Sequence, residues 1–350
     1  MNGARETRFV RRPWLGALTV FVLLSAVAEL LLRLAPPQAL RFAHDSRAVY
    51  RYHPRWRTDF VPDATAAIRW RVDEGWVLNF VVTTNASGFR WHDRTVDHPL
   101  VRAPGQRIVH TIGDSFTMGW GVDYEASYPA LLQRDLGERS LVLNLGLNGY
   151  GAVGAVEKSA LVGESFPPDV VVYLATENDY EDDDIAKRFS EMPAVVRGLL
   201  DTFDVLRRHS YLANVGHALR WWFYYRDVFA SGAERAVPTS DDAITEMTDD
   251  GPDDALLGAA SKVALQAYAD RLRAEGVRLV VVAHGTGPVA ADIARYCRAH
   301  DIEVHHIVVP AVWHLYREGH FNPEGNARVA AFIAGLILQN TKTSAADSTL

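Results

Sequence analysis

Short apolar segments alternate with longer amphipathic segments from Arg107 to the final helix. Most of the apolar segments are hydrophobic throughout, which is typical of strands in a parallel sheet covered by helices on both faces. The predicted strands are Arg107–Ile112, Leu141–Leu145, Val170–Leu174, Val277–Ala283 and Ile302–Ile307. The predicted helices are Tyr128–Leu136, Ala152–Val162, Asp254–Glu275, Val289–His300 and Pro323–Leu338. The pattern predicts an α/β fold with a central parallel sheet of about five strands.

The N-terminal region contains an apolar run that is preceded by four arginines. Trp14–Ala28 has no charged residue, and the apolar helical pattern continues to Pro36-Pro37, where a helix ends. This length is close to the roughly 20 residues that cross a bilayer. A signal peptide cleaved near Ala26-Val27-Ala28 is the alternative. We favour a single-pass anchor, because the helical pattern continues past that point. The four basic residues are Arg5, Arg8, Arg11 and Arg12.

Arginines before a span place the N-terminus in the cytoplasm. The rest of the chain is therefore predicted on the extracytoplasmic, periplasmic side of the cell membrane. Glu29 and Arg33 lie four residues apart on one helix face and are expected to pair near the membrane interface.

The predicted organisation has four parts. Residues 1–37 hold the arginines and the anchor or signal peptide, and residues 38–104 form an accessory segment with strand-like pieces such as Trp76–Thr84. Residues 105–340 form the main domain, which carries a helical insertion at about 182–253. Residues 341–350 are expected to form a disordered tail.

The insertion contains the aromatic run Trp221-Trp222-Phe223-Tyr224-Tyr225. Five consecutive aromatic residues cannot all face one core. The run is consistent with a helix packed on several sides, a lid over a site, a substrate-binding wall or a contact with a membrane surface.

Composition excludes several classes of protein. A net charge of -7, with no basic cluster beyond the N-terminus, argues against binding of nucleic acid. Cys297 is the single cysteine, so neither a disulfide framework nor a cysteine-based metal site is expected. No metal and no cofactor are predicted.

Gly113-Asp114-Ser115 follows the first predicted strand of the main domain. Ligands of open parallel sheets bind beyond the carboxyl ends of the strands. A glycine-bearing turn and a serine at a helix N-terminus present the hydroxyl there, but serine needs a base that takes its proton. Ser115 is the predicted nucleophile.

His320 lies just before the final predicted helix, in Glu318-Gly319-His320-Phe321-Asn322-Pro323. A histidine that follows the last strand can reach the carboxyl edge of the sheet. Glu318 is close enough to accept a hydrogen bond from the other imidazole nitrogen and to set its tautomer. We predict His320 as the base and Glu318 as the acid that orients it.

Two further strand ends carry hydrogen-bond donors. Gly149 follows the second strand, and Asn178 follows the third. Together with the N–H of Ser115, a backbone N–H at Gly149 and the amide of Asn178 are predicted to form an oxyanion hole. Taken alone, Gly149 is more typical of a plain turn and Asn178 of an Asx turn.

Ser115, Gly149, Asn178 and His320 occur in the order that gives the SGNH, or GDSL-type, hydrolases their name, and the chain resembles this superfamily from about Arg107 to the final helix. The wider pattern resembles a bacterial membrane-anchored branch, since Glu29–Arg33 ends the span and Thr84–Arg90 precedes the nucleophile. The resemblance implies a flavodoxin-like three-layer fold and metal-independent acyl chemistry.

The chain departs from the family pattern at two places. Thr176 stands where the family's asparagine block usually begins with glycine, and position 317 is arginine where many members have the triad aspartate. Some relatives that modify exopolysaccharides place the acid two residues before the histidine, which corresponds to Glu318. Asp114 is expected to shape the turn. His284, at another strand end, is a possible lining residue of the pocket.

The sequence predicts a serine-dependent ester hydrolase that acts through an acyl-enzyme. The expected substrates are O-acyl groups, such as O-acetyl groups, on envelope or exported carbohydrate, or lipid esters. Two alternatives remain: an O-acetyltransferase that moves the acyl group to a polysaccharide hydroxyl, and a catalytically inactive domain that binds carbohydrate or acts as a scaffold.

Overall fold

The N-terminal apolar run forms one long helix. A computed structural model of the chain describes residues 13–54, 56–72, 75–92, 102–230, 244–247, 258–315 and 318–347. Helix α1 covers Pro13–Leu34, and its stretch Trp14–Leu34 is long and apolar enough to cross a membrane, with a mean hydropathy of 2.3. Arg33 Nε donates to Glu29 at 2.8 Å, as expected. The four N-terminal arginines lie outside the described residues.

The accessory segment is more ordered than the sequence predicts. It consists of α2 (Gln38–Ala48) and two antiparallel hairpins, β1 (Tyr50–His53) with β2 (Arg57–Phe60) and β3 (Thr65–Val72) with β4 (Gly75–Thr83). Helix α2 was not expected, because its mixture of polar and apolar residues has no clear helical period. The segment packs on the main domain through a shared core, which contains Phe42, Ile68, Trp70, Leu78, Phe80, Met118, Trp120 and Leu147.

The main domain is built on a six-stranded sheet. Its strands are β5 (Arg107–Gly113), β6 (Ser140–Asn144), β7 (Val170–Ala175), β8 (Thr245–Glu246), β9 (Arg278–His284) and β10 (Glu303–Val308). The spatial order is β6-β5-β7-β9-β10-β8. All five predicted strands are present and parallel, in the 2-1-3-4-5 order of flavodoxin-like sheets. The sixth strand, β8, is an antiparallel edge of two residues contributed by the insertion.

Helices cover both faces of the sheet, which gives three layers. The helices are α3 (Ser115–Met118), α4 (Tyr128–Leu136), α5 (Ala152–Gly163), α6 (Asp179–Ser190), α7 (Ala194–His209), α8 (Val215–Ala230), α9 (Ala259–Ala274), α10 (Pro288–Ala299) and α11 (Pro323–Asp347). Side chains of α5, α9 and α10 pack on one face, and those of α4 and α11 pack on the other. Short 3₁₀ turns lie at Tyr124–Ala126, Leu212–Asn214 and Ala311–Trp313.

Two boundaries differ from the prediction. Helix α11 continues to Asp347, so most of the tail that was expected to be disordered from residue 341 is helical. The insertion begins inside α6, which starts at Asp179, and it continues through α7 and α8. Since α6 follows β7 directly, the start of the insertion lies at the carboxyl edge of the sheet.

Candidate active site

Ser115 is the first residue of α3, and Asp114 alone separates it from Gly113, the last residue of β5. The side chain of Asp114 caps the helix, because its Oδ1 accepts from the Phe116 N–H at 2.9 Å. Gly113 has φ +144°, and a Cβ there would lie 2.6 Å from the Leu174 carbonyl oxygen. The turn therefore requires glycine. It places Ser115 between β5 and β7, where the strand order reverses.

Ser115, His320 and Glu318 form one line of hydrogen bonds. The Nε2 atom of His320 lies 2.7 Å from Ser115 Oγ, and its Nδ1 lies 2.6 Å from Glu318 Oε2. A carboxylate only accepts hydrogen bonds, so the partner assigns the imidazole proton to Nδ1. Nε2 is then free to accept the proton of the serine hydroxyl. The structure thus brings together the three residues that the sequence predicts as nucleophile, base and acid.

The charges on this side of the site support one another. Burial acts to raise the pKa of Glu318, but His320 and its hydrogen bonds, together with Trp120, lower it below the ordinary value. Burial acts to lower the pKa of His320, but Glu318, with a smaller contribution from Asp114, raises it. The pair therefore favours a charged carboxylate that stabilises an imidazolium.

Trp120 is a site residue that sequence reasoning missed. Its indole Nε1–H donates to Glu318 Oε1 at 2.8 Å, so both carboxylate oxygens have partners. The Glu318 side chain is 5% exposed and that of His320 is 19% exposed. Trp120 lies five residues after the nucleophile in a loop, and no periodicity or motif of the sequence indicates this contact.

Arg90 holds the loop that carries Trp120. Its buried guanidinium donates to the carbonyl oxygens of Met118, Gly119 and Val122 at 2.6, 2.5 and 2.5 Å. Burial lowers the pKa of Arg90 to about 10. In the sequence, Thr84–Arg90 is marked only by a resemblance, whereas in the structure its arginine holds the loop that follows Ser115.

The predicted oxyanion donors other than Ser115 lie in the connections that follow β6 and β7. Gly149 lies in the loop after β6 with φ +77°, a conformation that favours glycine. Among the described residues, neither the Ser115 N–H nor the Gly149 N–H donates to a protein acceptor. Ser115 and Gly149 are both partly exposed.

The amide of Asn178 is already engaged by its neighbours. Its Nδ2 donates to Asp182 Oδ2 at 2.7 Å, and its Oδ1 accepts from the Thr176 hydroxyl at 2.9 Å. Asp182 was not among the predicted site residues. It also lies beside Gly149, since a Cβ at Gly149 would be 3.7 Å from Asp182 Oδ1. An acidic side chain therefore borders the predicted oxyanion hole.

Buried carboxyl groups surround this side of the site. The Thr176 hydroxyl lies 2.8 Å from Asp114 Oδ2 and 3.2 Å from Asp179 Oδ1. Tyr173 donates its hydroxyl to Asp179. Thr176, which replaces the usual glycine, bridges these groups, and the sequence offered no sign of this role. Asp114 shapes the turn, as expected.

Burial raises the pKa of the carboxyl groups of Asp114, Asp179 and Asp182. The pKa of Asp114 is raised by burial, although the charge of His320 partly opposes the shift. Burial and the neighbouring charge of Asp114 raise the pKa of Asp179 well above its ordinary value. Burial raises the pKa of Asp182 to about 6, against its hydrogen bond with Asn178 and the charge of Arg57.

His284 is buried behind the site. It packs against Phe116, with ring centroids 5.6 Å apart, and stacks with His314 at 5.6 Å. Burial, with a smaller effect of His314, lowers its pKa to about 3, so the imidazole is neutral. Within the described ranges, no group of three or more His, Cys, Asp or Glu side chains is placed to hold a metal ion.

Comparisons with known proteins find similar solved structures but no matching protein family. No family model and no curated protein matches the chain. Similar solved structures include AlinE4, a SGNH-hydrolase family esterase, at 14% identity and TM-score 0.30, covering 57% of this chain and 75% of AlinE4. The psychrotrophic esterase EstA from Pseudoalteromonas sp. is 10% identical, with TM-score 0.38 and coverage of 67% and 100%. TesA is 13% identical, with TM-score 0.35 and coverage of 65% and 97%.

Proposed function

We propose that this chain is a membrane-anchored serine ester hydrolase, in which Ser115 is the nucleophile, His320 is the general base and Glu318 orients His320. One observation carries the proposal: the unbroken line of hydrogen bonds from Ser115 Oγ through His320 to Glu318, at 2.7 and 2.6 Å. A serine, a histidine in the required tautomer and a buried carboxylate are the parts needed to activate a hydroxyl at neutral pH.

The first half-reaction forms the acyl-enzyme. As Ser115 Oγ attacks the ester carbonyl carbon, its proton passes to His320 Nε2, and the Glu318 carboxylate stabilises the imidazolium. The N–H groups of Ser115 and Gly149, with the second N–H of Asn178, bind the oxyanion. When the intermediate collapses, the alcohol leaves with the proton from His320 Nε2, and the acyl group stays on Ser115.

The second half-reaction releases the acyl group. Water gives a proton to His320 Nε2 and attacks the acyl carbon, and the carboxylic acid leaves as Ser115 regains its proton. If a sugar hydroxyl takes the place of water, the same steps transfer the acyl group to the sugar. Hydrolysis and transfer therefore differ only in the acceptor.

The proposed substrates are O-acyl groups, O-acetyl groups above all, on envelope or exported carbohydrate, or lipid esters. The apolar helix α1 and the arginines that precede it support an anchor with the catalytic domain on the extracytoplasmic side. Substrates on that side and near the bilayer are the ones such an enzyme reaches.

A fluorophosphonate probe tests the nucleophile on the full-length protein in detergent. We expect the wild type and Ser190→Ala, a variant of an exposed serine on α6, to be labelled equally. Ser115→Ala should lose labelling. Wild-type protein that stays unlabelled, under conditions where a known serine esterase reacts, would favour the inactive carbohydrate-binding or scaffold alternative. Labelling that persists in Ser115→Ala would contradict the assignment of the nucleophile.

Product analysis separates hydrolysis from transfer. The enzyme is given an acetyl donor with and without oligosaccharide acceptors, and the products are followed by mass. Free acetate in both reactions supports the hydrolase. Acetylated oligosaccharide, formed by the wild type and not by Ser115→Ala, would instead establish the O-acetyltransferase.

A further inference from the structure

Glu29, in the last turns of α1, holds the junction between α7 and α8. Its carboxylate accepts from the Ser210 hydroxyl at 2.8 Å and from the backbone N–H groups of Tyr211 and Leu212 at 3.1 and 2.9 Å. It therefore satisfies donors at the start of the 3₁₀ turn that leads into α8. Because Glu29 belongs to the apolar stretch Trp14–Leu34, this junction is fixed beside α1.

The position of the junction along α1 can be estimated from helix geometry. Glu29 precedes the end of α1, Leu34, by a distance of about 8 Å along the axis. Arg33, one turn further on, donates to the His209 carbonyl oxygen at 2.6 Å. If α1 crosses a bilayer, the end of α7 and the start of α8 therefore lie at the level where the span leaves the hydrocarbon.

Helix α7 presents an apolar stripe to the outside. Val195, Leu199, Phe203 and Leu206 lie on one side at helical spacing, and they are 72, 66, 47 and 53% exposed. A different side of the helix faces the protein, where Asp204 is buried. Stripes of this kind are normally covered by protein or lipid, because contiguous exposed apolar surface is unfavourable in water.

Helix α8 repeats the arrangement. Val215, Leu219, Trp222 and Phe223 share one side and are 37, 53, 44 and 49% exposed. The guanidinium of Arg226 lies 5.1 Å from the centre of each of the two rings. An amphipathic indole beside a cation is typical of the headgroup region of a membrane.

The aromatic run of the insertion is therefore divided between two environments. Trp221 points inward, where its ring lies 5.4 Å from that of Phe42. Trp222 and Phe223 point outward, because they belong to the exposed stripe of α8. The side chains of Tyr224 and Tyr225 lie outside the described residues.

We propose that α7 and α8 lie in the membrane interface, with their exposed stripes inserted at the headgroup boundary of the bilayer that α1 crosses. The stripe of α7 ends and the stripe of α8 begins next to the junction held by Glu29, so both stripes adjoin the span, and this favours lipid over a second copy of the chain. The inference rests on the anchor role of α1 and is independent of the esterase chemistry.

The test measures the depth of single labels in vesicles. The full-length protein, with the buried Cys297 changed to alanine, is reconstituted in vesicles of phosphatidylcholine and phosphatidylglycerol. Single cysteines carry an environment-sensitive fluorophore in Leu199→Cys, Phe203→Cys and Trp222→Cys. The matched control is Asp201→Cys, which is exposed on a different side of α7.

We expect blue-shifted emission at the three stripe positions and quenching by nitroxide lipids at least about twofold stronger than at position 201. Quenching equal to that of the control would overturn the proposal. So would a blue shift that grows with the protein-to-lipid ratio without nitroxide quenching, which would show a second copy on this surface. The proposal would also be contradicted if the intact mass of protein purified from membranes showed that α1, and Glu29 with it, had been cleaved off. Fluorophosphonate labelling of Ser115 in the same vesicles reports the esterase separately.

Discussion

The two sides of Ser115 differ in how they treat charge. On the base side, a carboxylate with a lowered pKa faces an imidazole that becomes positive when it takes the serine proton. On the proposed oxyanion side, the negative charge of the intermediate would develop near three carboxyl groups, those of Asp114, Asp179 and Asp182. A negative carboxylate therefore stabilises the charge that forms on the base side and would oppose the charge that forms on the oxyanion side.

Burial reduces the conflict on the oxyanion side. It raises the pKa of the three aspartates, to about 6 for Asp182, so their negative forms are less favoured than those of exposed carboxyl groups. Neutral carboxyl groups can accept and donate hydrogen bonds without repelling an oxyanion. In the proposed reaction Glu318 acts through its charge, whereas the surroundings of the three aspartates disfavour their charge.

Removing the charge of Glu318 should have the largest effect. We expect Glu318→Gln to lower kcat by about 10³- to 10⁴-fold, because the amide no longer favours the required tautomer or stabilises the imidazolium. Glu318 also raises the pKa of His320, and the neutral imidazole is the active base. The acidic limb of the kcat/KM profile should therefore move to lower pH in the variant.

Steady-state kinetics on a soluble ester across pH checks this prediction. Glu324→Gln, which removes an exposed carboxylate near the start of α11, is the matched control and should behave as wild type. A Glu318→Gln enzyme with normal kcat and an unmoved acidic limb would mean that another group orients His320.

Whether a feature of the site could be predicted from the sequence depends on how far apart in the chain the interacting residues lie. The strands, their parallel arrangement and the residues Ser115, Gly149 and His320 follow from local patterns, because strand ends of a parallel sheet meet at one edge. Glu318 could be assigned from its spacing to His320. The residues Ser115, His320 and Glu318 of the base side can therefore be predicted from short sequence motifs.

The carboxyl groups on the oxyanion side could not be predicted from local motifs. Asp182 lies one helical turn after Asn178, but which of several acidic residues at the start of α6 faces the site depends on the packing of that helix. On the base side, the contacts of Trp120 and Arg90 could not be predicted either, because they join segments far apart in the chain. Thr176 could be noticed as a departure, yet its bridging role requires the positions of Asp114 and Asp179.

Asp182 tests whether an acceptor or a charge is needed beside Asn178. Asp182→Ala should lower kcat about tenfold, since Asn178 loses a hydrogen bond that holds its amide in place. Asp182→Asn retains an acceptor and should stay close to wild type at low pH. In a variant that already carries Asn178→Ala, Asp182→Ala should have little further effect, which separates positioning from a general structural role.

The pH dependence of the Asp182→Asn enzyme gives the sign of the charge effect. The pKa of Asp182 is raised to about 6, so the wild-type side chain becomes negative as the pH rises through that value. The charge then opposes the oxyanion, and the ratio of kcat for Asp182→Asn to kcat for wild type should rise by about threefold, as expected for a partly exposed charge. A ratio that falls with pH would show that the charge assists the reaction.

Thr176 should have the smallest effect on rate and a clear effect on stability. Thr176→Val removes the hydroxyl between the buried carboxyl groups of Asp114 and Asp179, and we expect it to lower the free energy of unfolding by about 1–3 kcal/mol. Thr176→Ser keeps the hydroxyl and should lose less than the valine variant. Urea unfolding of the full-length protein in detergent measures both. If the two variants are equally stable, the Thr176 hydroxyl does not hold the two carboxyl groups in place.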